Sequence, residues 1–292
     1  MAWQFSTGTP PALTITRPIP EKRKFSRWII AIVIIVITVM AILFGLIYQS
    51  SVIVSTKGFS YAESASQGSN GSYTLQIANV NGAVTLASWG QDSFLINGTI
   101  TAKGLGSSPS QVTISESNNA GTITFQAVFP NNAAFLISQT YSVKVNVFVP
   151  LSVGIGKLVV DNVNGLVQAK SLNVTGASLS SENGDIDFTC FSCGGGGFLA
   201  QTTNGNIAGT FSSPITNGNY TLLSQNGNVN LNVPSSSSFK LTASLVSGTI
   251  QTLNLTLSSE TKTSTQLTAT AGVGGGNVVL STVVGDITVT GT

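Results

Sequence analysis

Short segments built on one plan recur through the second half of this chain. They are Asn164-Gly165-Leu166-Val167, Asn183-Gly184-Asp185-Ile186, Asn204-Gly205-Asn206-Ile207, Asn226-Gly227-Asn228-Val229 and Ser247-Gly248-Thr249-Ile250. Their glycines stand 19, 21, 22 and 21 residues apart, and Gly285-Asp286-Ile287 closes the series after 37, close to two periods. An earlier copy, Asn81-Gly82-Ala83-Val84, stands alone. Asn-Gly favours turns because both residues tolerate positive φ, and the Val or Ile two places later opens a strand. A recurrence of about 20 residues marks a stack in which each coil buries its apolar face against the next. The expectation is that Asn183, Asn204 and Asn226 lie above one another at the turns, with Asp185, Asn206 and Asn228 in a second polar row.

The remaining sequence beyond residue 72 agrees with an all-β reading. "YTLQIANV", "AVTLASW", "QVTISES", "GTITFQAVF" and "YSVKVNVFVP" alternate apolar with polar residues and are rich in Val, Ile, Thr and Phe. No amphipathic helical period interrupts them. Charged residues make up 8% of the chain and histidine is absent, against about 25% charged in an ordinary soluble domain. A disordered chain would be rich in charge and poor in β-branched residues. A neutral hydroxyl- and amide-rich surface fits a protein displayed outside the cell.

Residues 28–48, from Trp28 to Tyr48, contain no charge. As a helix they would extend about 31 Å, the thickness of a bilayer's hydrocarbon core, with aromatic rings at both ends. Arg17, Lys22, Arg23, Lys24 and Arg27 oppose Glu21 on the N-terminal side, giving 5 − 1 = +4, while residues 49–292 carry 7 lysines and 9 acids, 7 − 9 = −2. The positive-inside rule then places the N-terminus in the cytoplasm and the rest outside. The expected organisation is a Pro-rich cytoplasmic tail (1–27), a transmembrane helix acting as a signal anchor (28–48), a polar linker (49–71), an N-terminal β portion (72–150) and the Asn-Gly repeat portion (151–292). The beta portion lacks the clustered Lys and Arg a nucleic-acid binder needs.

"IANVNGAVTLASW", "YSVKVNVFVP" and "VDNVNGLVQA…SLSSENGDIDF…AQTTNGNIAGTF" together resemble the putative-adhesin family of β-repeat domains of unknown function. The resemblance covers about residues 72–292 and implies a right-handed, single-stranded β-solenoid or β-helix-like stack with a surface location and no established activity. Residues 99–134 are longer and richer in turns than a repeat requires, which suggests a distinct N-terminal sheet.

Candidate sites are few. Cys190 and Cys193 cannot build a zinc site without histidine or a third cysteine. Their C-x-x-C follows a strand, so a local structural disulfide is the preferred reading, ahead of free thiols and of redox chemistry. Glu182, Asp185 and Asp187 are too few for calcium, which takes about 6–8 oxygen ligands. Asp185 also shares its repeat slot with Asn206, Asn228, Thr249 and Asp286. Neither a metal nor a cofactor is expected. Catalytic triads need a histidine, and "GGGG" and "GVGGGN" lack the helix and Lys of a phosphate loop. Sequons at Asn70, Asn97, Asn173, Asn219 and Asn254 are candidate glycosylation sites. The expected function is non-catalytic binding, adhesion or envelope structure, with the lipid bilayer, a surface protein or glycan, and further copies of the chain as partners. The terminal "VVGDITVTGT" would offer an edge for such self-association. A pilin-like subunit cut before the apolar helix is the alternative, and a carbohydrate-acting β-helix enzyme is the weaker one.

Overall fold

A computed structural model describes residues 27–50, 54–65, 73–104, 106–131, 139–193 and 195–292. The N-terminal tail, residues 1–26, lies outside them. The chain divides into two compact units, Met1–Tyr48 and Gln49–Thr292.

The first unit contains α1 (Arg27–Ser50). Its window Trp28–Gly45 is long and apolar enough to cross a membrane, and none of it is buried within the chain. Ile34, Ile35, Val36 and Ile37 occupy successive positions and are all more than half exposed. A helix apolar on every side needs an apolar environment all round it.

The second unit is β throughout. Its first part holds β1 (Val54–Ser64), β2 (Tyr73–Asn81), β3 (Val84–Trp89), β4 (Ser93–Lys103), β5 (Thr113–Asn119), β6 (Thr122–Val128) and β7 (Thr140–Pro150). Then come β8 (Ile155–Asn164), β9 (Val167–Asn183), β10 (Ile186–Cys193), β11 (Phe198–Asn204), β12 (Ile207–Phe211), β13 (Asn219–Asn226) and β14 (Val229–Val233). The last part holds β15 (Phe239–Ser247), β16 (Ile250–Leu253), β17 (Leu257–Lys262), β18 (Gln266–Ala271), β19 (Gly276–Val284) and β20 (Ile287–Gly291).

Each Asn-Gly or Gly corner joins a strand that leads in to one that trails away, and the two lie on opposite faces of a solenoid. The leading face runs in space β5–β6–β2–β8–β9–β11–β13–β19–β15–β18–β17. The trailing face runs β1–β4–β7–β3–β9–β10–β12–β14–β20–β16. The 17-residue β9 serves both, trailing with its first half and leading with its second. Pairing is parallel through the body, and antiparallel at both ends of the leading face and at the β1 end of the trailing face. Alternate residues turn inward, as Tyr73, Leu75 and Ile77 do on β2, and join one continuous core.

Spatial order departs from sequence order at both ends. The β2–β3 coil sits between β6–β7 and β8–β9, and the final β19–β20 coil sits between β13–β14 and β15–β16. The 37-residue interval is therefore a hairpin, β17–β18, followed by a coil that returns inside its predecessor. "VVGDITVTGT" accordingly ends in an interior strand, with β14 on one side and β16 on the other. It does not form the edge expected for self-association.

Two further expectations change. Residues 49–71 are not simply a linker, because β1 pairs with β4 over eleven residues and stacks Phe59 on Phe125 at 5.5 Å. The serines and Gly58 around Phe59 and Tyr61 hide that alternation in the sequence. Residues 72–150 and 151–292 also share strands, since β2 pairs with β8 and β3 with β9. The turn-rich stretch after Thr99 supplies the outer layer of this same stack.

Candidate functional site

The predicted turn residues come together in one line. Corner glycines stack in the order Gly82, Gly165, Gly184, Gly205, Gly227, Gly285, Gly248, and a Cβ on each after the first would overlap the carbonyl of the glycine before it. Gly82 meets the Val143 carbonyl instead. At Gly184 and Gly205 the need is for close approach rather than for unusual φ. The N–H groups of the first six glycines in this order are also committed across coils: Gly165 donates to Asn183 O at 2.8 Å, Gly184 to Asn204 O at 2.9 Å and Gly205 to Asn226 O at 3.0 Å.

Outside that line runs the asparagine ladder. Asn226 Nδ2 donates to Asn204 Oδ1 at 2.9 Å, Asn204 to Asn183 at 2.8 Å and Asn183 to Asn164 at 2.9 Å. Asn81 breaks the pattern by donating to the Tyr141 carbonyl. The second row also forms. Asp185 Oδ1 accepts from Asn206 N–H at 2.7 Å, Asn206 Oδ1 from Asn228 N–H, Asn228 Oδ1 from Asp286 N–H, and Asp286 Oδ1 from Thr249 N–H. The acids of this slot are thus backbone acceptors within the scaffold. Asp187 accepts from Gln168 at 3.0 Å on the trailing face. Among the described residues no group of three His, Cys, Asp or Glu could hold a metal ion.

A third row was not read from the sequence. Ser181, Thr202, Ser224 and Thr282 are buried, and each donates its hydroxyl to a corner glycine carbonyl of the neighbouring coil, Gly165, Gly184, Gly205 and Gly227 in turn. Asn79 and Asn162 take the same place in the first coils and reach two carbonyls each, Gly82 with Val143 and Gly82 with Gly165. The visible signal is a hydroxyl or amide three residues before every corner glycine but Gly248, which Leu245 precedes.

Because these rows consume the polarity of the corner, the surface open to a ligand is the outer side of the leading face. A groove of about 750 Å³ runs there across β6, β2, β8, β9, β11, β13 and β19. Its floor is one register row, Ala78, Asp161, Ser180, Gln201, Leu223 and Ser281, each opposite the next. Val163, Glu182, Thr203, Gln225 and Val283 rise beside it. Asp161 and Glu182 are its charged residues. Such a mixed lining of hydroxyls, amides, aliphatic groups and two acids can hold a partner by hydrogen bonds and apolar contact, without a nucleophile–base pair.

Cys190 and Cys193 are bonded to each other with Cα atoms 5.9 Å apart. They stand at the end of β10, where Tyr220 Oη donates to the Cys193 carbonyl at 2.7 Å and burial pushes the Tyr220 phenol pKa up. Behind them Phe188, Phe198, Phe211 and Tyr220 interlock with ring centroids 4.4–5.7 Å apart. Gly209 leaves room for the Phe188 ring. Among the sequons, Asn173, Asn219 and Asn254 are exposed, and Asn254 has φ 54° at the turn after β16. Asn97 lies inside β4 and accepts from Asn146 Nδ2 at 3.1 Å. Asn70 is outside the described residues.

At the β1 end, Glu63 accepts from Asn118 at 3.0 Å and Tyr61 at 3.1 Å. Burial, then the Glu63 hydrogen bond and charge and the Glu116 charge, push the Tyr61 phenol up. Burial alone raises the Glu116 carboxyl.

Residues 190–290 match the family model described as Toastrack DUF4097. No curated protein matches the chain. Among solved structures it is similar to a putative cell adhesion protein from Clostridium sporogenes, at 10% identity and TM-score 0.40 over 82% of this chain and 100% of that one. A putative adhesin from Bacteroides fragilis matches at 11% identity and TM-score 0.33, over 82% of this chain and 98% of that one. One from Parabacteroides distasonis matches at 12% and 0.32, over 82% and 97%. Residues 190–290, with their glycine corners and stacked coils, thus match a Toastrack-type model, and the chain resembles the putative-adhesin family of unknown function.

Proposed function

We propose that this chain is a non-catalytic surface-display protein. In this reading α1 anchors it in the bilayer, the β-solenoid stands outside, and the groove on the leading face contacts a surface protein or glycan. The observation that carries the reading is the division of labour at the corner. Three polar rows there are occupied by hydrogen bonds within the stack, whereas the row Ala78, Asp161, Ser180, Gln201, Leu223 and Ser281 faces outward along a groove that crosses seven strands. A volume of about 750 Å³ falls within the roughly 300–1,000 Å³ common for ligand clefts. The exposed amides of Asn173, Asn219 and Asn254 suit glycan attachment if the cell supplies the transferase.

The test pairs protease treatment of intact cells with mass mapping of the mature N-terminus. External cleavage of the β unit, with a start at Met1 or Ala2, supports a retained anchor. A start within a few residues of Trp28 replaces it with the filament-subunit reading, and one beyond Tyr48 with a secreted protein. The groove is tested by attachment of cells to immobilised glycans and matrix proteins. Leu223→Arg and Gln201→Arg should reduce attachment without lowering surface display; unchanged attachment removes the groove from the account.

A further inference from the structure

Asn-Gly is chemically the most labile asparagine setting, because the small Gly lets its backbone nitrogen reach the preceding side-chain amide. The described residues contain seven such pairs: 81–82, 97–98, 164–165, 183–184, 204–205, 217–218 and 226–227. Six are held against that reaction. Gly82, Gly165, Gly184, Gly205 and Gly227 each donate their N–H to a backbone carbonyl of the neighbouring coil. Gly98 lies within β4, between hydrogen-bonded β1 and β7. The asparagine amides are also engaged, by the ladder at residues 164, 183, 204 and 226, by Tyr141 O for Asn81 and by Asn146 for Asn97.

Asn217–Gly218 lacks both restraints. It lies in the loop between β12 and β13, and the Asn217 side chain is exposed. No hydrogen bond engages that side chain or the Gly218 N–H among the described residues. Gly218 has φ 88° and no Cβ to obstruct an approach.

We propose that, among the Asn-Gly pairs of the described residues, Asn217 is the site of spontaneous deamidation in the folded protein, and that the solenoid itself protects the corner asparagines. The Gly218 nitrogen attacks Asn217 Cγ and forms the N–C bond of a succinimide. The C–N bond to the side-chain amine breaks, and ammonia leaves with the proton lost from Gly218. Water then opens either imide carbonyl, giving aspartate or isoaspartate. No oxidant or reductant enters. Either product adds a carboxylate to a surface with few charges. The isoaspartate form also inserts a methylene into the backbone beside Tyr220, whose ring lies about 3.4 Å from where a Gly218 Cβ would be.

The experiment incubates the full chain in detergent at mildly alkaline pH, with a parallel sample in denaturant, and follows each Asn-Gly peptide by mass spectrometry. The expected native result is the small mass gain of exchanging –NH2 for –OH at Asn217, with the corner peptides unchanged. The denatured sample should convert the corner pairs as well, and Asn217→Gln should remove the native signal. Conversion of the corner pairs at the Asn217 rate in folded protein overturns the proposal. So does an unchanged Asn217 over a time in which the denatured corners convert.

Discussion

The middle coils and the end layers solve the same packing problem with different residues. From β9 to β14 each corner has asparagine on the outside, glycine at the turn and a hydroxyl inside; the asparagines bond to one another from coil to coil and the hydroxyls to the glycine carbonyl of the neighbouring coil. Towards β6–β7 the hydroxyl becomes Asn79 or Asn162, whose two N–H groups each find a carbonyl while their buried oxygens have no partner. Towards β15–β16 the asparagine gives way to Val284 and then Ser247, and the inner donor to buried Leu245. The three rows keep one set of residues through the middle coils and change progressively towards the two ends.

This contrast can be broken most directly at glycine. Gly205→Ala forces a methyl into the Gly184 backbone, which cannot rotate away, and should cost about 3 kcal/mol or more. Gly154→Ala, with no atom within 4 Å of its Cβ position, should leave the denaturation midpoint unchanged. Equal midpoints for the two variants would remove the glycine row from the explanation.

Next is the inner row. Thr202→Val keeps the shape and strands the Gly184 carbonyl, at an expected cost of about 1–3 kcal/mol. Leu245→Thr at the end coil should not gain a comparable amount, since it exchanges apolar burial for a hydroxyl; urea titration of the pair measures the difference.

A smaller effect is expected in the exposed ladder. Asn204→Ala deletes two rungs, to Asn183 and Asn226, and should cost about 1 kcal/mol. Hydrogen exchange should quicken at Gly184 and Gly205 and stay unchanged at Gly82.

The smallest belongs to the cap. Burial raises the Glu116 carboxyl pKa in the folded state, so its contribution is fully present below the unfolded carboxylate pKa and is lost as pH rises through the folded value. Glu116→Gln should therefore raise the melting temperature slightly at neutral pH and leave it unchanged in acid. A benefit confined to acid would reverse the assigned cause.

The corner rows were legible because they are short-range patterns: Asn-Gly followed by an inward Val or Ile fixes a turn, a face and a register together. The hydroxyl row was equally periodic, but a buried Ser or Thr looks like any other in a Ser- and Thr-rich chain. The cap strand β1 was hidden for a similar reason, since serines and a glycine surround Phe59 and Tyr61. Spatial order was not legible at all. Gly248 and Gly285 have interchangeable corners, and the placement of one inside the other depends on the β17–β18 hairpin, a contact between distant residues. The groove depends on that same stacking, and its rows carry no motif.

The inward placement of β19–β20 has a consequence in time. A solenoid whose coils followed their sequence order could close layer by layer as it was made. Here the β15–β16 coil has no native seat until residues 276–291 have arrived beneath it. Assembly of that end therefore waits for residues 276–291, the kind of long-range closure that slows folding. A chain that stops short is not merely shorter but open, with two coils unseated by the loss of one. Arrival of residues 276–291 and closure of that end become a single event.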